Sequence, residues 1–478
     1  MAKNKYYITT AIPYVNAKPH VGHALEYVVA DAIHRYQELA GKEVFFVSGA
    51  DENAIKNVQA AEKEGLPPAE FLDKYSKIWR DFYKLLDASL DEFRRGTDEK
   101  LHWPGVQKLW KLAEKKGDIY KKKYKGLYCT GCESFKTAKE LVNGKCPDHD
   151  RIPEEVEEEN YFFKLSNYQK FLHELFSEEK LKIYPEKRKN EVLSFIDSGL
   201  EDFSISRSNE RARNIGVPVP GDKSQKMYVW FDALTIYMTA VGWGHNESLW
   251  KKWWPADLHV IGKDIIRFHA VYWPAMLESA GLPLPKELLV HGFITSGGRK
   301  MSKTIGNVVD PYKIIEKYKV EALRYYLLSQ IPTQDDGDFT EERFREVYQA
   351  DLANGIGNLV SRVSKLLELK GIKTDQLDLK AIDNFSPEVS GAIESYQIQV
   401  ALAFITECVS RLDKYLNEKE PWKKTSLNEK ILWTNVVNGI NQIAFDLKPF
   451  LPETAEKIKD RFKGPKIKSG EALFPRLK

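Results

Sequence analysis

The chain opens with "KYYITTA", an apolar and β-branched stretch that alternates toward a short strand. From Leu25 onward, Val28, Val29, Ala32, Ile33, Tyr36 and Leu39 recur at helical spacing, and Gly41 supplies the stop. "EVFFVSG" then reads as a second strand. Residues 5 to 49 therefore predict strand, turn, helix and strand, one βαβ unit of a parallel sheet, and such sheets bind ligands at the carboxyl ends of their strands. The same periodicity predicts helices over 67–86 and 102–117. After the acidic run "EEVEEE" comes the aromatic strand-like "NYFFKLS". A second α/β stretch runs from "KMYVWFDAL" through "DLHVIGKDIIRFHAVYWPAML" to "ELLVHGFITSGGRKMSKTIGN". From about residue 346 the pattern is almost wholly helical, in "ADLANGIGNLVSRVSKLLEL", "ALAFITECVSRLDKYL" and "ILWTNVVNGINQIAFDL". The expected plan is a parallel-sheet α/β domain split by an insertion and followed by an all-α helical bundle.

Composition narrows this picture. At 478 residues with 42% hydrophobic content, the chain has room and apolar mass for about three domains. No apolar run approaches the ~20 residues of a membrane span and no leader precedes the first strand, so the expected setting is the cytoplasm, with no membrane partner. Net charge is only +3, so a nucleic-acid partner would be met by a local basic surface. The four cysteines are too few for a disulfide scaffold, and three of them fall between positions 129 and 146, which suggests metal. Cys408 lies on a helical face as a small apolar residue.

Three constellations carry chemistry. His20 and His23, in "PHVGHA", stand at the mouth of the first predicted helix, where unpaired N–H groups and the helix dipole favour an anion such as phosphate. The dipole disfavours imidazolium there, so two neutral hydrogen-bond donors are expected, and Gly22 leaves room for a group such as an adenine ring. "GGRKMSKTIGN" is a glycine-rich loop bearing Arg299, Lys300 and Lys303 just after a predicted strand; read alone it is a phosphate clamp or a solvated basic loop. Neither a P-loop nor a dinucleotide fingerprint is present. "CTGCESFKTAKELVNGKCPDH" spaces Cys129, Cys132, Cys146 and His149 as C-x2-C-x13-C-x2-H, two pairs that suit a closed, structural tetrahedral zinc site, with Asp148 as an alternative fourth ligand.

With these residues in hand, the sequence resembles the methionyl-tRNA synthetase family of class I aminoacyl-tRNA synthetases. The resemblance runs from "AIPYVNAKPHVGHA" to "LFPRL" and includes "ISR", "YVWFDA", "VIGKDI", "FHAVYWPAML", "HGF", "NLVSR" and "EPW". It implies a Rossmann-type catalytic domain over 1–116 and 224–292, interrupted by a zinc-binding insertion at 117–223. A lysine-loop region over 293–345 and an α-helical anticodon-binding domain over 346–478 would follow. It also implies activation of L-methionine with ATP and Mg2+, one zinc per chain and tRNA-Met as partner. The family's methionine pocket falls on Ile12, Tyr14, Asp51, Trp230, Ala233, Tyr237, Ile265 and His269. ATP would be met by His20, Gly22, His23, Gly262, Asp264, His291, Lys300, Met301, Lys303 and Thr304, with Arg207 acting near the phosphates. Catalysis would rest on His20, His23, Lys300, Lys303 and Arg207, and anticodon reading on Asn358, Arg362 and Trp422. Two departures stand out. The lysine loop ends in Thr304 where serine is usual, and "DENA" replaces the family's "DEHG", so no role passes to Asn53. No appended carboxyl-terminal dimerisation domain is read, and a monomer is expected.

Overall fold

The protein is described as a computed structural model covering residues 4–129, 134–136, 140–147, 150–301, 306–423 and 429–477. Its contacts form two compact units, Met1–Pro19 with Glu43–Leu85 and Ser89–Val290, and His20–Lys42 with Leu86–Ala88 and His291–Lys478.

The first unit is built on a six-stranded parallel sheet. Its strands are β1 (Lys5–Thr10), β2 (Glu43–Ala50), β3 (Glu92–Arg95), β4 (Lys182–Tyr184), β5 (Leu258–Gly262) and β6 (Glu287–His291), in the order β3-β2-β1-β5-β6-β4. β1 is central, pairing Tyr7 with Phe45 on one side and Ile8 with Leu258 on the other. Every residue of β1 from Tyr6 onward is buried, as a strand covered on both faces requires. The strand order turns back between β1 and β5. The carboxyl ends of these two strands are therefore the place where a sheet of this topology takes a ligand.

Between the helix Trp103–Lys116 and the strand Asp222–Met227, an antiparallel sheet pairs Ile119–Cys129 with Glu154–Phe163. Lys123 lies opposite Glu159 and Lys125 opposite Glu157, so the acidic run faces a lysine-rich strand rather than solvent alone. Such opposite-charge pairs contribute roughly 0.2–1 kcal/mol each. The same stretch of chain also sends the three residues of β4 to the edge of the parallel sheet.

The second unit holds α1 (Val21–Leu39), α2 (Val320–Gln330), α3 (Gly357–Lys370), α4 (Ile398–Lys419), α5 (Glu429–Leu447) and α6 (Pro452–Phe462). α1 ends where expected, with Gly41 at φ +88°. It groups with the later helices because its buried face carries charge as well as apolar side chains. Asp31 bonds the fully buried Arg324 of α2 at 2.7 Å, and Glu26 meets His291 at 3.0 Å. Cys408 is half-buried on α4, and burial pushes its thiol up, away from reactivity. Among the described residues no helix is long and apolar enough to cross a membrane.

Candidate active site

His20 is the N-cap of α1, in extended backbone, and its Nδ1 accepts the Gly22 N–H at 3.1 Å. His23 Nδ1 accepts the His20 N–H at 3.2 Å, and the two rings lie 3.9 Å apart. Two imidazoles thus form the reciprocal cap that Ser and Glu form elsewhere. An imidazole nitrogen accepts only when bare, so each ring carries its proton on Nε2 and presents one donor there. Desolvation, then the neighbouring His20 and His291, hold His23 well below the ordinary histidine value, so it is neutral at pH 7. A Cβ on Gly22 would sit 2.9 Å from His20 Cε1. The space the glycine leaves is therefore taken by the capping ring itself, a closer demand than the ligand clearance read from the sequence.

His291, at the end of β6, donates Nδ1–H to the Gly292 carbonyl at 2.8 Å and sets Nε2 against Glu26. Gly292 has no alternative, since a Cβ would come within 2.2 Å of the Asp335 backbone. Beyond it, Gly297 (φ +63°) and Gly298 (φ +71°) make a tight hairpin joining Ile294–Ser296 to Arg299–Lys300. The Lys300 backbone pairs with Thr295, and Met301 is half-buried. The Lys300 side chain, Lys303 and Thr304 lie outside the described residues.

In the first unit, Ile12 and Tyr14 follow β1, and Asp51 follows β2 and bridges to Tyr14. The Asp51 N–H donates to the Pro13 carbonyl at 2.9 Å, and Asn57 Nδ2 holds the Asp51 carbonyl at 2.8 Å. Trp230 and Ala233 lie on the short helix Val229–Ala233, and Tyr237 on Ile236–Thr239. Ile265 and His269 lie in the turns after β5. Tyr14 meets Trp230 edge-on at 6.2 Å. Trp230 in turn stacks on Phe268 at 3.7 Å. Phe268 escaped the sequence reading, although it adjoins His269 in "FHAVYW". The Tyr237 hydroxyl donates to His269 Nε2 at 2.8 Å, and His269 Nδ1–H donates to the Ile265 carbonyl at 3.0 Å, which fixes one neutral tautomer. Gly262 ends β5, with Asp264 exposed just beyond it.

Arg207 lies on the strand Ser206–Ser208, its guanidinium between the rings of Tyr128 and Tyr228 at 4.8 and 4.9 Å. Next to Tyr128, Cys129 is buried, as is Cys146, whose N–H closes a turn onto the Arg151 carbonyl at 2.8 Å. Cys132 and His149 lie outside the described residues, and among the described residues no group of three potential ligands forms a metal site. In the second unit, Asn358 and Arg362 share α3. Arg362 covers the Trp422 ring at 4.6 Å and bonds Asp413 and Asn417 at 2.9 and 2.7 Å. Trp422 is 42% exposed, so it does not serve as a core cap.

The buried histidines make stability depend on pH. Burial brings His269 down to about 4 and holds His259 well below 6.5, and desolvation together with His20 and His291 does the same for half-buried His23. Below pH 6.5 the unfolded chain binds protons that the folded chain refuses, so stability is full above that pH and falls as the medium is acidified. At 1.36 kcal/mol per pKa unit, His269 alone should cost roughly 3 kcal/mol between pH 6.5 and 4. Urea titrations at stepped pH should show the unfolding free energy declining already from pH 6.5 to 5; a flat profile there would contradict this assignment.

Residues 6–154 and 137–364 match the family model described as tRNA synthetases class I (M). The methionine–tRNA ligase of Clostridium acetobutylicum is 41% identical, over 99% of this chain and 78% of its own length. The chain belongs to the methionyl-tRNA synthetase family. Another member, from Rhizobium meliloti, is 43% identical over 95% of this chain and 91% of its own. The structure of Mycobacterium tuberculosis methionyl-tRNA synthetase in complex with methionyl-adenylate matches with a TM-score of 0.90 at 35% identity, covering 99% of this chain and all of that one. The likeness to the methionyl-tRNA synthetase family thus spans the parallel sheet, the insertion and the helical region together.

Proposed function

We propose that this protein is an AMP-forming methionine–tRNA ligase. It joins L-methionine to ATP as methionyl-adenylate, releasing pyrophosphate, and then passes methionine to the 3′ end of tRNA-Met. The observation that carries this reading is the neutral double-imidazole cap at the start of α1, found in a chain that aligns with methionine–tRNA ligases along nearly its whole length.

The chemistry asks for position and charge more than for a nucleophile of the protein's own. The methionine carboxylate attacks the α-phosphate, so two anions must be held against each other while charge builds on phosphate oxygens. His20 and His23 supply Nε2–H donors at the amino end of a helix dipole. Lys300 and Lys303 supply cationic charge from the loop, Arg207 a further one, and Mg2+ accompanies ATP. Gly22, Gly262, Asp264, His291, Met301 and Thr304 complete the nucleotide's surroundings. Asp51 pairs with the substrate ammonium. Ile12, Tyr14, Trp230, Ala233, Tyr237, Ile265 and His269 enclose the side chain, whose soft thioether suits aromatic walls. On the tRNA, the exposed Trp422 stacks a splayed base while Asn358 and Arg362 meet base edges. The setting is cytoplasmic and the protein acts as a monomer.

Cys129, Cys132, Cys146 and His149 hold a zinc ion that organises the insertion and takes no part in the reaction. The two described thiols suit this role, being buried and placed at a strand end and in a tight turn. Elemental analysis should find about one zinc per chain, and Cys129→Ala should lose the metal and make the insertion protease-sensitive. A metal-free preparation whose insertion stays protease-resistant would remove the assignment.

Pyrophosphate exchange into ATP tests the main reading. Exchange should depend on methionine among the twenty amino acids and fall by about 10²–10³-fold or more in Lys303→Ala. Exchange driven by a different amino acid would overturn the substrate.

A further inference from the structure

Resting on methionine activation as proposed above, we propose that Asn53 is a positioning residue that locks the Asp51 segment to the short helix bearing Trp230 and Ala233. Asn53 Nδ2 donates to Asp232 Oδ2 at 2.5 Å and to the Gly96 carbonyl at 2.9 Å. Asp232 belongs to Val229–Ala233 and is buried at 2% exposure. Its other oxygen faces His102 Nε2 at 2.5 Å, and His102 Nδ1 meets Thr239 Oγ1 at 2.7 Å. The carboxylate is thus braced from two sides, by a residue two positions after Asp51 and by a histidine that also grips the helix carrying Tyr237.

Two of the segments that would hold methionine, one at its ammonium and one at its side chain, are therefore joined by one polar link. The link demands an amide. Both acceptors of Asn53, a carbonyl and a carboxylate, need N–H donors, and a carboxylate in its place would repel both. Misplacing a substrate-binding group by about 1 Å can cost as much as 10²-fold, so this brace controls methionine recognition without touching the substrate.

The test uses methionine-dependent pyrophosphate exchange in the full chain. Asn53→Asp should raise the methionine KM by about tenfold or more while the ATP KM stays within about twofold and thermal unfolding stays cooperative. The exchanged pair Asn53→Asp with Asp232→Asn puts one amide and one carboxylate back at the position 232 contact while the Gly96 carbonyl still faces a carboxylate, and should bring the methionine KM at least about threefold back toward the parent. A methionine KM unmoved by Asn53→Asp, a parallel rise in both KM values, or a double variant no better than the single one would overturn the positioning role. A parent chain with no methionine-dependent exchange would overturn the reading beneath it, which is a separate result.

Discussion

Arg324→Ala is expected to destabilise the protein by about 3–5 kcal/mol, the range found when one partner of a buried ion pair is removed. Arg324 and Asp31 are both fully buried, 2.7 Å apart. The guanidinium also donates Nε–H to the Phe450 carbonyl at 2.9 Å, and its remaining donors reach the carbonyls of Leu86 at 3.0 Å and Pro449 at 3.3 Å. One planar cation thereby satisfies three main-chain oxygens that have left water, as well as a carboxylate from α1. Truncation leaves the oxygens stranded and takes the guanidinium from Asp31, whose contact with Arg35 Nε at 2.8 Å remains. Arg324→Lys should lose an intermediate amount, because an ammonium keeps the charge but cannot match the fork. Denaturant titration measures all three proteins; an alanine variant within about 1 kcal/mol of the parent would show that the network contributes little to folding.

That network also marks where sequence reading stops. The helix start near His20, the stop at Gly41 and the glycine-rich loop before Lys300 were legible because each is local: a helix mouth, a terminating glycine and a glycine pair leave their chemistry in adjacent letters. The late helices were legible from their period. Asp31 and Glu26 were not, since a charged residue on an otherwise apolar helix face looks like a solvated edge until its partner is known, and here the partners stand 293 and 265 positions away. β4 is three residues long, too short for any period to register. The residues proposed for the methionine site come from family likeness, whereas Phe268, Asp232 and His102 became visible only through stacking and hydrogen bonds. Gly22 shows a different limit. Its small size was legible, but the reason for it lies in the ring of a residue two positions earlier.

His23→Ala is expected to lower kcat of methionine-dependent exchange by about 10²–10³-fold, comparable to removing one preorganised donor from a charged transition state. Stability should fall much less, because what the fold loses is one end of a helix cap, worth about 1 kcal/mol. The two losses come from opposite sides of one ring. Nδ1 accepts the His20 N–H and keeps α1 capped, and the proton this forces onto Nε2 is the one available to phosphate. Protonating Nδ1 would break the cap, so the folded protein resists it, in line with a pKa well below 6.5. The acid limb of the kcat profile should accordingly fall below the ordinary histidine range, with activity level from pH 8 down to about 6.5. His23→Asn offers the sharper comparison. Its amide oxygen can replace the cap acceptor, so stability should return toward the parent. Its shorter reach should leave most of the kcat loss in place. If both variants lost activity only in proportion to unfolding, the ring would be a cap alone, and the link between helix start and phosphate chemistry would be broken.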